Sequence, residues 1–178
     1  MVREQSSLLR ISTQLGQGVA LTTRAVDVKS DIHPTTDHED TNTRYAMQHK
    51  AVLSQSEVSQ ILQAARSEAQ QQGWAVAIAV VDDGGHPLAL ERLDGCAPIG
   101  AYIATEKARS AAIGRRETKG YEDMVNGGRS AFLSAPLITS LEGGVPVLVD
   151  GQVVGAVGVS GVKAEQDAQV AKAGIAAL

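Results

Sequence analysis

Residues 143–161, GGVPVLVDGQVVGAVGVSG, hold six glycines in nineteen positions, a density expected where a backbone cradles a phosphate. The order of the residues argues otherwise. A phosphate loop needs Gly-x-x-x-x-Gly-Lys followed by Ser or Thr, and a dinucleotide fingerprint needs Gly-x-Gly-x-x-Gly, each between a strand and a helix; neither occurs here. Instead, two valine-rich runs flank Asp150 and Gly151, a pair that tolerates the positive φ angles of a type I′ turn. The stretch reads as a β-hairpin. Glycine inside a strand marks a bulge or a close approach by another backbone or a ligand. Gly155, Gly158 and Gly161 are therefore expected to admit a helix packed tightly on the sheet, with a wall against a flat ligand as the second reading.

Working towards the N-terminus, Ile99–Ile113 is an alanine-rich helix that Gly114 is expected to end. Its small-residue face suits close docking on a sheet. Before it, Trp74–Asp82 (WAVAIAVVD) is a continuous apolar run that ends in the turn DDGGHP and is followed by the alternating LALERLD. This is a second hairpin, with its first strand buried on both faces. Ser54 and Glu57 stand three apart, the spacing of a capping box. Val58, Ile61, Leu62, Ala65 and Ala69 follow at helical spacing, with Gly73 as the stop. Residues 121–136 hold a short helix before Gly127 and Gly128. Beyond the glycine hairpin, Ala164, Ala168, Ala171, Ile175 and Leu178 form one stripe of a closing helix.

Composition bounds the rest. The 178 residues suit one domain of ordinary size with sequence to spare. Aromatics make up only 3%, so Val, Ile, Leu and Ala must build the core. A net charge of -4 argues against a nucleic-acid partner, whose binding draws on clustered Lys and Arg. One cysteine, Cys96, excludes an internal disulfide and any multi-cysteine metal site. Residues 1–50 are polar and aperiodic over DVKSDIHPTTDHEDTNTR and are expected to form a flexible extension, preceding a domain over 51–178. Six basic residues balance six acidic ones in that extension, so the whole net charge falls on the domain. The extension shows neither a signal-peptide core nor a membrane span, which makes the cytoplasm the expected location. Met47 opens the first strongly patterned stretch, as though the preceding residues were added to a domain complete without them.

Four ordered motifs, VVDDGGHPLALERLDG (80–95), EKARSAA (106–112), EGGVPVLVDGQVVGAVGVSG (142–161) and EQDAQVAKAG (165–174), carry a resemblance. Together they resemble the GlcG/HbpS family of small haem-binding and catabolic-operon accessory proteins, over roughly the last seven tenths of the chain. The resemblance implies a profilin-like α/β/α fold, with an antiparallel sheet between helices, and assembly into a homo-oligomer. It associates the chain with haem or corrinoid metabolism, iron and redox sensing, and operons for glycolate and diol breakdown. It also implies a haem contact at Thr118, matching the threonine of a Pro-Thr pair, although Glu117 replaces the proline here. Gly143 and Gly144 of the glycine-bearing hairpin would border the same groove, completed by a neighbouring subunit.

The remaining candidates come from the residues themselves. His86 lies in the DDGGHP turn, where its imidazole could ligate iron through one nitrogen if Asp82 or Asp83 oriented the other. The blander reading is a solvated turn histidine. His33, His38 and His49 lie near Asp37, Glu39 and Asp40, but their irregular spacing argues against a built metal site. Cys96 precedes a helix that could lower its pKa, though a lone cysteine is more often a packed hydrophobe. Glu106 and Lys107 are expected on a charged outer helix face, and Asp167 is expected to satisfy amides at a helix start. Two functional classes follow. The first is a tetrapyrrole-binding accessory protein. The second is an enzyme or accessory factor for a small catabolite, with Lys107, Arg109 or Arg129 anchoring a carboxylate. A pure assembly module is the third and plainest possibility. The sequence shows no convergent nucleophile, base and anion site.

Overall fold

A computed structural model describes residues 49–178. The expected flexible extension, with His33 and His38, lies outside the described residues except for His49 and Lys50. The elements run α1 (Gln55–Gln72), β1 (Ala77–Asp82), β2 (Pro87–Arg92), α2 (Ile99–Gly114), α3 (Lys119–Asn126), a 3-10 turn (Ser130–Ser134), β3 (Gly144–Val149), β4 (Gln152–Ser160) and α4 (Ala164–Ile175). The four strands form one antiparallel sheet in the order β2-β1-β4-β3. The two predicted hairpins thus lie side by side, joined by β1 against β4.

Local chemistry sets the ends. Ser54 and Glu57 form the reciprocal cap of α1, and Gly73 closes it at φ +68°. Such a cap is worth about 1 kcal/mol. Asp150 and Gly151 both take positive φ, 50° and 76°, as the tight hairpin turn requires. Two expected ends move. α2 runs through Gly114 and stops at Arg115, which adopts the left-handed conformation at φ 53°. Gly114 instead makes room for a neighbour, since a β-carbon there would collide with the Tyr121 hydroxyl. Leu178 lies beyond the end of α4 and is exposed.

The sheet is covered on both sides, giving the expected α/β/α layers. Its two faces are chemically unlike. Ile78, Val80, Val157 and Val159 pack with Val58, Ile61, Ala65 and Ala69 of α1 and with Val170 and Ala171 of α4. On the opposite face Ala77, Ala79, Val81 and Ala156 meet Ala104, Ala108, Ala111 and Ala112 of α2. Here the glycines find their reason. A β-carbon at Gly158 would strike the Ala104 carbonyl and the Ala108 amide, and one at Gly144 would strike the Lys107 carbonyl. α2 therefore lies with its backbone almost in contact with the strands, and the reading of close helix packing holds for Gly158. Gly155 instead admits the Val81 carbonyl and Leu53, and Gly161 admits the Ala75 carbonyl.

Candidate functional site

Polar side chains collect in two places. The first lies between α2, β3 and the start of α4 and is closed. Lys107 is 4% exposed and donates from Nζ to the Asp167 carboxylate at 2.8 Å and to the Val159 carbonyl at 3.0 Å. Asp167 in turn accepts from the Val162 amide at 3.2 Å, just before α4 begins. Burial pushes the Asp167 carboxyl up, against the pull of the Lys107 ammonium and the loop amides. Gly143 fits beside this pair at φ +120°, where a β-carbon would stand 2.8 Å from Lys107 Nζ. Gly144 and Thr118 bond reciprocally: the Thr118 amide donates to the Gly144 carbonyl at 3.0 Å, and the Gly144 amide donates to Thr118 Oγ1 at 2.9 Å.

Four of the predicted residues, Lys107, Thr118, Gly143 and Gly144, therefore come together, with Asp167 as a fifth. Their surroundings correct several expectations. Lys107 is not on an outer face, and its ammonium is committed to Asp167 and so is not available to anchor a substrate carboxylate. Thr118, the implied haem contact, is fully enclosed. In the single chain Thr118, Gly143 and Gly144 face protein instead of an open groove. Asp167, expected to satisfy amides at the helix start, instead binds Lys107 and the Val162 amide ahead of α4.

The second collection is open. Within the β1–β2 turn, Asp82 Oδ1 accepts from the Gly84 amide at 2.9 Å and the His86 amide at 2.8 Å. The carboxylate also holds His86 Nδ1, at 3.0 Å from Oδ2. Slight burial acts to raise the Asp82 carboxyl, but the His86 and Gly84 hydrogen bonds and the imidazole outweigh it, leaving the pKa below the usual range. With Nδ1–H donated to Asp82, a neutral His86 leaves the Nε2 lone pair free, on a side chain 79% exposed. Of the two candidate orienting carboxylates it is Asp82 that serves, while Asp83 pairs with Lys50.

Arg109 borders this turn. Its Nε donates to the Gly85 carbonyl at 3.4 Å and its guanidinium pairs with Glu106. Arg129 lies elsewhere, exposed, with its guanidinium 4.8 Å from the Phe132 ring centroid. Cys96 is buried under the start of α2, and burial pushes its thiol pKa up, so the activated-thiolate reading is not supported. Among the described residues no three His, Cys, Asp or Glu side chains converge as a metal site, and no helix is long and apolar enough to cross a membrane.

Between β2 and α2 runs a groove of about 660 Å³, lined by Leu90, Arg92, Pro98, Ala101, Tyr102, Thr105 and Glu106. It exists because α2 lies mainly over β4, β1 and β3 and touches β2 less, leaving part of that strand uncovered. Leu90 and Tyr102 are exposed there. Sequence reasoning missed this groove. The available signal was α2 itself, where Ile99 and Tyr102 fall off the alanine stripe and make the helix apolar on a second side.

Comparison with known proteins agrees with this architecture. Residues 53–176 match the family model described as haem degrading protein HbpS-like. Protein GlcG of Escherichia coli strain K12 is 68% identical over 114 residues, 64% of this chain and 85% of that one. The crystal structure of HbpS superposes with a TM-score of 0.68 at 29% identity, over 75% of this chain and 94% of the other. The crystal structure of a PduOC:heme complex gives 0.66 at 28% identity, over 72% of this chain and 96% of that chain. A family match across more than two thirds of the sequence, on a sheet and helix order shared with solved members, places this protein in the HbpS-like family.

Proposed function

We propose that the protein binds haem as a homo-oligomeric accessory protein of the cytoplasm, and that His86 offers Nε2 to the iron. The observation that carries this reading is the Asp82–His86 pair. Iron-ligating histidines typically donate their second ring nitrogen to a carboxylate or carbonyl, which fixes the tautomer and the ring orientation. Asp82 makes that contact here. The residues fit the group: the free imidazole nitrogen faces solvent, where a flat ligand can approach. Arg109, held against Gly85 one residue away and paired with Glu106, keeps further guanidinium N–H groups for a propionate. When bound, haem supplies the ligand and redox chemistry of its iron. The chain's own share is to orient the imidazole through Asp82 and to place the Arg109 guanidinium beside the turn. The similarity to a protein solved as a haem complex supports the ligand class. Exposed Leu133, Leu137 and Leu141, together with the apolar groove, support self-association. Thr118, Gly143 and Gly144 would reach a haem only after the loop around them moved, so the iron contact is given to His86.

A haemin titration followed in the Soret region tests this. The wild-type protein should give a saturable, shifted band. His86→Ala should weaken binding by at least about tenfold, Asp82→Asn less, and Thr118→Ala hardly at all. Wild-type absorbance indistinguishable from free haemin would refute haem binding. Unaltered binding by His86→Ala would remove His86 from the iron.

A further inference from the structure

We infer that the groove between β2 and α2 is a self-association surface, whose occupant is a second copy of this chain related by a two-fold axis through the Leu90–Tyr102 centre. This rests on the homo-oligomer reading above and gives it a place and a symmetry.

Three observations carry it. The first is the edge. β2 pairs only with β1, so its outer row of amides and carbonyls is a template for another strand. The opposite edge, β3, carries Pro146 inside the strand, whereas the proline of β2, Pro87, stands at its first position. Proline blocks ladder donation, so β2 is the more open edge.

The second is the apolar surface flanking that edge. Leu90 and Tyr102, 52 and 73% exposed, line one groove, and Leu88 and Ile99, on the same two elements, are 43 and 59% exposed. Exposed tyrosine and leucine grouped this way, with charged residues at the ends, make the anatomy of an interface with an apolar centre and a polar rim.

The third is charge. Arg92, at the end of β2 next to Pro98, has no ion-pair partner among the described residues. Glu106, two turns further along α2, lies at the groove's other end, and its half-exposed carboxylate meets only Arg109 of its own helix. An isologous contact brings residue i of one copy to residue j of the other and the reverse. Reversing one copy over its mate sets each Arg92 opposite the other copy's Glu106, twice. The groove is thus complementary to itself.

The test uses the full chain in sedimentation equilibrium across a range of concentrations. Tyr102→Asp and Leu90→Arg should halve the assembled mass or raise the dissociation constant at least about a hundredfold. Far-ultraviolet circular dichroism should not change, because both side chains are exposed. Arg92→Glu should act in the same direction by about tenfold, and because it sets like charges opposite each other its association should strengthen with added salt where that of the wild type weakens. As an independent arm, Tyr102→Cys should oxidise to a cross-linked dimer in a Cys96→Ala background, while Gln60→Cys on the outer side of α1 should not. An assembly of unchanged mass in both Tyr102→Asp and Leu90→Arg overturns the inference and leaves homo-oligomerisation standing. A wild-type protein that stays monomeric overturns both. Haemin that shields Tyr102 from nitration at dilutions where the chain is monomeric makes the groove a ligand site and overturns the second-copy assignment.

Discussion

Lys107–Asp167 and His86–Asp82 are both pairs of a basic side chain with a carboxylate, and they behave in opposite ways. Burial raises the carboxyl of the first, and hydrogen bonds lower that of the second. The enclosed pair makes its hydrogen bonds to the protein and joins α2 to α4. The exposed pair spends one side of an imidazole on the turn and leaves the other side free. Burial, not residue type, separates the group that holds layers together from the group that can meet a ligand.

Lys107→Ala should disturb this contrast most severely. It strands the Asp167 carboxylate in the interior, and the loss expected is about 3–5 kcal/mol, read from urea unfolding. The paired replacement Lys107→Met with Asp167→Leu should recover much of that, because removing both charges removes the desolvation cost of each. A double mutant no better than the single one would mean that the ion pair is not what Lys107 contributes. Gly158→Ala comes next. The added carbon meets the backbone of α2, and overpacking of this kind costs about 1–3 kcal/mol. A neutral result would show that α2 can lift off the sheet.

Acid titration of stability separates the two carboxylates further. Asp167 has a folded pKa above that of a free aspartate, because it is buried. Its contribution is full below the unfolded pKa and declines as pH rises through the folded one. Asp82 has a folded pKa below that of a free aspartate, because it is hydrogen-bonded within the turn. Its contribution is present above the unfolded value and disappears as pH falls through the folded one. Asp82→Asn should therefore flatten the acid limb of the stability profile, and Asp167→Asn should change the slope with the opposite sign. Equal slopes in the two variants would erase the distinction. The smallest effect belongs to His86→Ala, expected within about 0.5 kcal/mol of wild-type stability because the side chain is exposed, while haem binding falls.

The elements were legible wherever their signals are local. The cap at Ser54 and Glu57, the stop at Gly73, the turn at Asp150 and Gly151 and the buried run of β1 each lie within a few residues, and each is found as expected. The site was legible in part for the same reason, since Asp82 and His86 are four apart and share one turn. Lys107 could not be placed from its neighbours. Its partners, Val159 and Asp167, lie 52 and 60 residues away, and a lysine beside Glu106 on an alanine-rich helix looks like an outer face. Thr118 was hidden likewise by Gly144, 26 residues on. The groove escaped because it is made by what α2 leaves uncovered: Tyr102 off the alanine stripe signals a second apolar side of the helix, but nothing near it in sequence says what that side faces.

The alanine and glycine face beneath α2 also shapes the entropy of folding. Alanine and glycine have no rotamers to lose, whereas each Val or Ile on the α1 and α4 side gives up side-chain freedom when it packs. The α2 layer is therefore joined to the sheet by parts that cannot readjust. Against the sheet, then, α2 is expected to shift as one body, whereas at the His86 turn the long Arg109 side chain is the part that can adjust.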